Sequence, residues 1–298
     1  MKEYMNNKKK RLSIADIFIY LVLLIFALSC FLPLLNTLAL SFSNSAEATA
    51  GHVGLIPVGF NLSAYQNLLK ETQFWRSFRV SVMRVILGTS LNVFLVVTMA
   101  YPLSKNKREF KAQGIYVKLV ILAMLFNGGM IPTYLVVQKL GLINTMGALI
   151  FPTAVGASNV ILMMNFYRSV PKSLEEAAEI DGANPLQILW NIYIPASKPC
   201  IATIALFNLV GHWNDYFSGI VYMTKVEKYP LQTYIQSLSA NFDISKITDI
   251  KKLEELLSVS EKTLSSAKII VSIIPVLIIY PFLQRYFTTG LVVGAVKE

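Results

Sequence analysis

Long apolar stretches alternate with shorter polar segments along the chain. A helix needs about 20 apolar residues to cross a lipid bilayer, and six stretches approach or exceed that length. They occupy residues 14–40, 80–103, 115–137, 146–166, 200–222 and 269–287. This pattern predicts an all-α integral membrane protein with six transmembrane helices.

The composition agrees with lipid as the solvent of this chain. Of its 298 residues, 54% are hydrophobic and only 15% are charged, and the mean hydropathy is +0.54. Soluble domains carry about 25% charged residues. The net charge of +10 does not indicate nucleic acid, because the basic residues lie mostly between the apolar stretches and form no stripe interleaved with aromatic residues. Membrane lipid is therefore expected around the chain, and nucleic acid is not an expected partner.

The basic residues also predict the orientation of the chain. Loops on the cytoplasmic side of membrane proteins are enriched in Lys and Arg. A basic cluster at residues 8–11 precedes the first apolar stretch, and four more basic residues follow the second stretch at 105–111. Both segments are expected in the cytoplasm, and an even number of spans then places both termini there.

The expected organisation is a single membrane domain with three loops long enough to hold structure. The stretch Asn61-Leu62-Ser63 is expected to cap a short helix over residues 64–69. An amphipathic stretch at 249–263 either docks an extracytoplasmic partner or lies back on the protein's own outer surface. The segments are a basic cytoplasmic N-terminus (1–13), a first transmembrane helix (14–40), an outer loop (41–77), a transmembrane core (78–287) that contains an inner loop (167–199) and a second outer loop (223–268), and a cytoplasmic tail (288–298).

The inner loop has the sequence signals of two short helices. Ser173 and Glu176 have the spacing of a capping box, in which each side chain bonds the other residue's backbone amide. Carboxylates in the following turns suit the positive N-terminal end of a helix. Gly182 predicts the end of this first helix, since glycine is the usual residue at the left-handed position after a helix.

The second helix of the inner loop is predicted directly after that glycine. Asn184 is a favourable cap, Pro185 suits the first helical position, and Gln187 stands three residues after the cap. Pro195 is expected to end this helix. The pattern therefore predicts two short cytoplasmic helices jointed at Gly182 and held between two membrane spans.

Two interpretations of this helix pair differ in function. It either seals a loop at the membrane surface or enters a groove on a soluble partner. Ala177 and Ala178 allow close approach of another chain, and the acidic face is unlike the Lys/Arg-rich face of a helix that lies on anionic lipid. These features favour insertion into a partner.

The inner loop resembles the EAA motif of ABC importer permeases, which reads E-A-A-x3-G-x9-I-x-L-P. The only departure is Ile194 in place of the usual leucine. The matching residues are Glu176, Ala177, Ala178, Gly182, Ile192 and Pro195.

Further segments are similar to carbohydrate-importing permeases of the maltose-permease class. These segments include 181–183, 213–216 and 230–232, whereas 101–104 and 126–132 resemble a branch that handles oligosaccharides or polysaccharide fragments. The resemblance implies a type I importer fold in a bacterial cell membrane. It implies a second homologous permease, two copies of a cytoplasmic ABC ATPase and an extracytoplasmic solute-binding lipoprotein as partners.

In that family the EAA loop is the coupling helix that docks on the ATPase. By resemblance, Glu176 is the docking residue and Gly182 the joint. The full set of expected ATPase-docking residues is Glu175, Glu176, Ala177, Ala178, Glu179, Asp181, Gly182, Ala183, Ile192 and Pro195.

The chain contains no G-x-x-x-x-G-K-[ST] phosphate-binding motif. ATP and Mg²⁺ are therefore expected on the partner ATPase. We expect no cofactor, metal or catalytic residue in this chain, which would be a transport subunit and not an enzyme.

Polar residues within apolar spans are costly and are the first candidates for a substrate path. An aromatic ring beside amides and a carboxylate suits a sugar, whose ring faces stack and whose hydroxyls hydrogen-bond. The same residues also suit polar contacts between helices. Arg84 and Lys118 are expected to snorkel or to pair with the partner permease. The substrate-path candidates are Asn127, Asn208, Trp213, Asn214, Asp215 and Tyr216.

The function expected from these observations is the membrane-spanning permease of an ATP-driven carbohydrate importer. The alternative is an ion-coupled secondary sugar carrier that works alone. Such carriers are commonly built from inverted repeats with paired discontinuous helices, and the sequence has no detectable repeat.

Overall fold

A computed structural model describes residues 13–240 and 261–295, and its regular structure in these ranges is entirely helical. They divide into two compact units, the first with residues 13–70 and 261–271, the second with residues 71–240 and 272–295. The basic cluster at 8–11, most of the amphipathic stretch at 249–263 and tail residues 296–298 lie outside the described residues. The helices are α1 Ile14–Ser41, α2 Ser45–Ala50, α3 Ser63–Lys70, α4 Thr72–Ser104, α5 Gln113–Leu125, α6 Met130–Lys139, α7 Met146–Ile150, α8 Ala157–Arg168, α9 Lys172–Ile180, α10 Pro185–Ile188, α11 Ile194–Ala196, α12 Lys198–Asn214, α13 Phe217–Tyr222, α14 Leu231–Ala240 and α15 Glu261–Ala295.

In the first unit, polar contacts hold the end of α1 against the segment that follows it. Asn36 donates from Nδ2 to the carbonyl oxygen of Gly54 at 2.7 Å, and the hydroxyls of Ser41 and Tyr65 are 2.9 Å apart. The most apolar window of α1 has no buried residue, as expected for a helix whose surface faces lipid. The helix predicted over 64–69 is confirmed as α3.

In the second unit, α4 is the central helix and packs against α8 and α12. The core between them is formed by Val, Met, Ile and Tyr side chains of these helices and of the inner loop. Because α4 is 33 residues long and a helix rises 1.5 Å per residue, it extends for about 50 Å.

Three described helices are individually long and apolar enough to cross a membrane, and three bent helix pairs bring the number of candidate spans to as many as six. The six predicted spans correspond to these candidates: the third and fourth spans are bent helix pairs, and the fifth is bent away from the inner-loop segment that precedes it. The bent pairs are α5 with α6 (114°), α7 and its 3-10 extension with α8 (52°), and 185–196 with α12 (81°).

Local chemistry accounts for the break in the third span. The Asn127 side chain accepts from the Gly129 amide at 2.9 Å, which replaces a helical hydrogen bond. Gly129 has φ +85°, a conformation that glycine adopts without the steric cost of a Cβ. Asn127 and Gly129 therefore shape the break in this span.

The fifth span is also interrupted, because α12 ends at Asn214 and a separate helix begins at Phe217. Asp215 accepts from the Ser218 amide and hydroxyl at 3.1 and 2.5 Å, so its carboxylate caps the new helix. The sixth span extends past its predicted bounds of 269–287 at both ends, and α15 reaches Ala295 within the predicted tail.

Candidate coupling loop and translocation site

The first helix of the inner loop, α9, begins two residues earlier than its capping signal predicts. Pro171 is the N-cap, and no side chain caps the helix. The capping box at Ser173 is therefore wrong: this residue lies within the first turn. Pro171 has ψ 127°, a non-helical value of the kind usual at an N-cap.

Gly182 stands at the left-handed position after α9, as predicted. It has φ +80°, and its amide donates to the Glu179 carbonyl at 3.0 Å. The Ala183 amide donates to the Ala178 carbonyl at 2.9 Å. These two bonds form a Schellman motif, and both alanines pack against the core of the second unit.

The second helical segment begins with the predicted cap. The Asn184 side chain accepts from the Gln187 amide at 2.9 Å, and the Gln187 side chain accepts from the Asn184 amide at 2.8 Å. A π-helical turn, Leu189–Tyr193, then leads into α11. The expectation that Pro195 ends the helix is wrong, because Pro195 lies inside α11. It stands near the start of that helix, where the missing backbone N–H of proline is tolerated.

The predicted docking residues differ in exposure. Ala178, Ala183 and Ile192 are half-buried against the core. The exposed members are Glu176, Ala177, Glu179, Asp181, Gly182 and Pro195. The first helix and its joint therefore present a small, acidic surface that is available to another chain.

Glu175 is the exception among the carboxylates of α9, because it faces its own protein. It forms an ion pair with Lys105, and it accepts from the Tyr193 hydroxyl at 2.6 Å. The side chains of Glu175 and Lys105 are only 14% and 11% exposed. Glu175 therefore joins the start of the inner loop to its end and to the residue after α4.

Aromatic rings surround this ion pair. The Lys105 ammonium lies 4.4 Å from the ring centre of Tyr101 and 4.8 Å from that of Tyr193, a cation–π arrangement. Tyr167 contacts both rings edge-on. Burial raises the pKa of Tyr193 to about 12, so its hydroxyl stays protonated and donates to Glu175. Burial also lowers the pKa of Lys105, against the raising effect of the Glu109 and Glu179 charges.

A cavity of about 400 Å³ lies beside this contact. Its wall combines the loop after α4, the end of α8 and the inner loop. The lining residues are Ser104, Lys105, Asn106, Lys107, Glu109, Gln113, Tyr167, Arg168, Val170, Lys172, Glu175 and Tyr193.

A second polar cluster lies where α12 ends. Arg84 of α4, 1% exposed, donates to the Asp215 carboxylate at 2.5 Å and to the Asp215 carbonyl at 3.0 Å. The expectation that Arg84 snorkels or pairs with a partner permease is wrong, since its counter-charge is in its own chain. Lys118 is exposed.

Asn92, also on α4, forms hydrogen bonds to the break between α7 and α8 and to α12. Its amide nitrogen donates to the carbonyls of Thr153 and Ala154, both at 2.7 Å, at the break between α7 and α8. Its oxygen lies 2.8 Å from Nε2 of His212. Because the Asn92 nitrogen is used as a donor, its oxygen must accept, and the proton of the neutral His212 ring lies on Nε2.

A cavity of about 270 Å³ borders this cluster. Of the predicted substrate-path residues, Asn208 and Asp215 line it. Trp213 instead packs inside the protein, where its indole donates to the Ser272 carbonyl at 3.0 Å. Asn214 and Tyr216 are exposed, and Asn127 lies at the break of the third span. The lining residues are Arg84, Thr153, Phe207, Asn208, Gly211, His212 and Asp215.

Sequence reasoning missed Lys105, Tyr193 and Asn92 as members of these clusters. Asn92 had a usable signal, because an amide within an apolar span is costly unless it has a partner. Lys105 and Tyr193 had none, since a lysine after a span and a tyrosine near a loop end are ordinary at a membrane interface.

Comparison with known proteins identifies the family to which this chain belongs. A profile of the family described as "Binding-protein-dependent transport system inner membrane component" matches residues 5–293. The chain belongs to this family of membrane transport permeases, which confirms the resemblance based on the EAA motif.

Individual relatives agree over nearly the full chain. The polygalacturonan/rhamnogalacturonan transport system permease protein YtcP of Bacillus subtilis is 40% identical and covers 95% of this chain and 98% of its own length. Protein LplC of the same organism is 40% identical and covers 89% of each chain. A chain from the crystal structure of a bacterial ABC transporter involved in the import of the acidic polysaccharide alginate is 37% identical, with a TM-score of 0.84, over 92% of this chain and 98% of that one. The predicted permease fold is thereby confirmed.

Proposed function

We propose that this chain is one permease subunit of an ATP-driven carbohydrate importer in a bacterial cell membrane. It forms half of a translocation path with a second homologous permease. A solute-binding protein delivers the solute, and two copies of a separate ATPase hydrolyse ATP with Mg²⁺. Family membership and the presentation of the EAA residues on a jointed helix pair support this proposal.

The observation that carries the proposal is the division of the inner loop into two faces. One face packs on the core through Ala178, Ala183 and Ile192. The other face exposes Glu176 and Gly182, and a Cβ at this glycine would meet open space among the described residues, with no contact within 4 Å. A partner can therefore approach the backbone closely at the joint while the loop stays anchored to the spans.

The proposed cargo is an oligosaccharide. Two relatives bear names that refer to acidic polysaccharides or their fragments, namely polygalacturonan/rhamnogalacturonan and alginate. The cavity beside Asp215 combines hydrogen-bonding groups of Asn208 and His212 with the apolar ring of Phe207. This mixture suits a sugar unit, which has both hydroxyl groups and apolar ring faces.

The test uses the complete transporter in proteoliposomes, with the Glu176→Lys and Gly182→Asp variants. Each places a charge or side chain on the docking face, so both are expected to reduce copurification of the ATPase and oligosaccharide uptake at least tenfold. Glu227→Lys makes the same charge change on an exposed outer-loop residue and is the control for ATPase association. If association and uptake both persist in the two inner-loop variants, the docking role is refuted.

A further inference from the structure

We propose that Lys105 is a coupling residue that passes movement of the inner loop to α4. This inference rests on the proposed function, in which the inner loop docks on an ATPase. Two sets of contacts support the inference. The first is the contact of Lys105 with Glu175 beside Tyr193, and the second is the contacts of α4 with the breaks in the fourth and fifth spans.

No covalent link joins α4 directly to the inner loop, so α4 follows movement of this loop only through noncovalent contacts such as this ion pair and the shared core. The inner loop is joined covalently to α8 and α12, whereas α4 lies more than 60 residues earlier in the sequence. The Lys105–Glu175 ion pair joins residues 70 positions apart. It is the one ion pair among the described residues that links the inner loop to the end of α4.

The local environment fixes the geometry of this ion pair more firmly than that of a solvent-exposed one. Exposed ion pairs contribute about 0–1 kcal/mol because water screens them and the side chains lose freedom. Here both side chains are largely buried, the ammonium lies over two rings, and Glu175 also accepts from Tyr193. The pair is thus fixed on three sides, and displacement of α9 pulls directly on Lys105.

At the other end, α4 holds the breaks in the fourth and fifth spans. Arg84 bonds Asp215 at the end of α12, and Asn92 bonds Thr153 and Ala154 before α8. From Arg84 to Ser104 a helix rises about 30 Å. One continuous helix therefore connects the ATPase-docking loop with the residues that line the cavity in the spans.

This role differs from simple support of the fold, and the two make different predictions. If Lys105 only stabilises the inner loop, its loss lowers ATPase association, ATP hydrolysis and uptake together. If Lys105 transmits movement, its loss leaves association and hydrolysis in place and lowers the number of solute molecules transported per ATP.

The experiment compares Lys105→Met, Glu175→Gln and the exchanged pair Lys105→Glu/Glu175→Lys in the reconstituted complex. Methionine keeps the apolar stem of lysine over the two tyrosine rings while removing the charge. We expect both single variants to retain at least half of the ATPase copurification and ATP hydrolysis. The ratio of solute transported to ATP hydrolysed should fall at least fivefold, and the exchanged pair should recover at least half of the wild-type ratio.

Lys107→Met is the matched control, since Lys107 is exposed on the same loop and lines the same cavity. Its ratio should stay within twofold of wild type. The inference is overturned if Lys105→Met keeps the wild-type ratio, if Lys107→Met lowers it equally, or if the single variants lose assembly and the exchanged pair does not restore it. Absence of ATP-dependent uptake by the wild-type complex would instead refute the proposed function, and with it this inference.

Discussion

The contact between Gly88 and His212 provides a sharp structural test of how α4 holds α12. A Cβ added at Gly88 would lie 2.5 Å from Nε2 of His212 and 2.8 Å from two ring carbons. The ring is 5% exposed, and its Nε2 bonds Asn92 at 2.8 Å. Gly88→Ala therefore forces the ring away from Asn92 or separates the two helices.

The magnitude follows from three contributions. Overpacking of a close-packed core costs about 1–3 kcal/mol, and loss of the hydrogen bond between His212 and Asn92 adds about 1 kcal/mol. Alanine in place of glycine within a helix returns up to about 1 kcal/mol. The expected net loss of folding free energy for Gly88→Ala is therefore about 1–3 kcal/mol.

The assay is thermal unfolding of the purified complex in detergent, with Gly211→Ala as the control. Gly211 lies on α12, one residue before His212, and a Cβ there would meet no other element of the described chain within 4 Å. Gly88→Ala should lower the midpoint, whereas Gly211→Ala should leave it unchanged or raise it. Adding His212→Ala to Gly88→Ala removes the clashing ring and should cost less than the sum of the single effects. Equal midpoints for the two glycine variants would refute the steric argument.

Three further predictions follow from the same contacts. In the series Gly182→Asn, Gly182→Ala and Gly182→Val, ATPase association should fall in that order. A non-glycine residue in the left-handed region costs about 1–2 kcal/mol, and Asn tolerates this conformation best. Equal loss in all three variants would contradict this reasoning and mean that any side chain blocks docking. Asp215→Asn should destabilise the complex by about 3–5 kcal/mol by leaving the buried Arg84 guanidinium without a counter-charge, and Arg84→Gln/Asp215→Asn should recover part of this loss in the unfolding midpoint. The ultraviolet difference titration between wild type and Tyr193→Phe should show ionisation of the Tyr193 hydroxyl at about pH 12, up from 10.0. Since the folded-state pKa is raised, the stabilisation contributed by this group is present below pH 10 and is lost as the pH rises from 10 to 12. An ionisation step near pH 10 would contradict the burial of this hydroxyl.

Local sequence signals predicted the parts of the fold that depend on neighbouring residues. Apolar length located six candidate spans, Gly182 marked the end of a helix, and Asn184 capped the next one. Each of these features depends on interactions within a few residues, so the chain itself contains the necessary information.

Contacts between distant residues were not predictable in this way. Asp215, where the fifth span is interrupted, bonds Arg84, 131 positions earlier, and hydropathy alone gives no sign of this partner. Similarly, the acidic pattern of α9 could not separate Glu175, which faces Lys105, from the exposed Glu176. Which partner each of these carboxylates contacts depends on residues far away in the sequence.

The energy source for transport is the central claim of this account. The direct measurement is oligosaccharide uptake by proteoliposomes that contain both permeases, the ATPase and the solute-binding protein. With ATP and Mg²⁺ supplied on the ATPase side and ion gradients collapsed, the account predicts uptake that stops when ATP is replaced by a non-hydrolysable analogue. Uptake driven by a sodium or proton gradient in the absence of ATP and the ATPase would contradict it and favour an ion-coupled carrier.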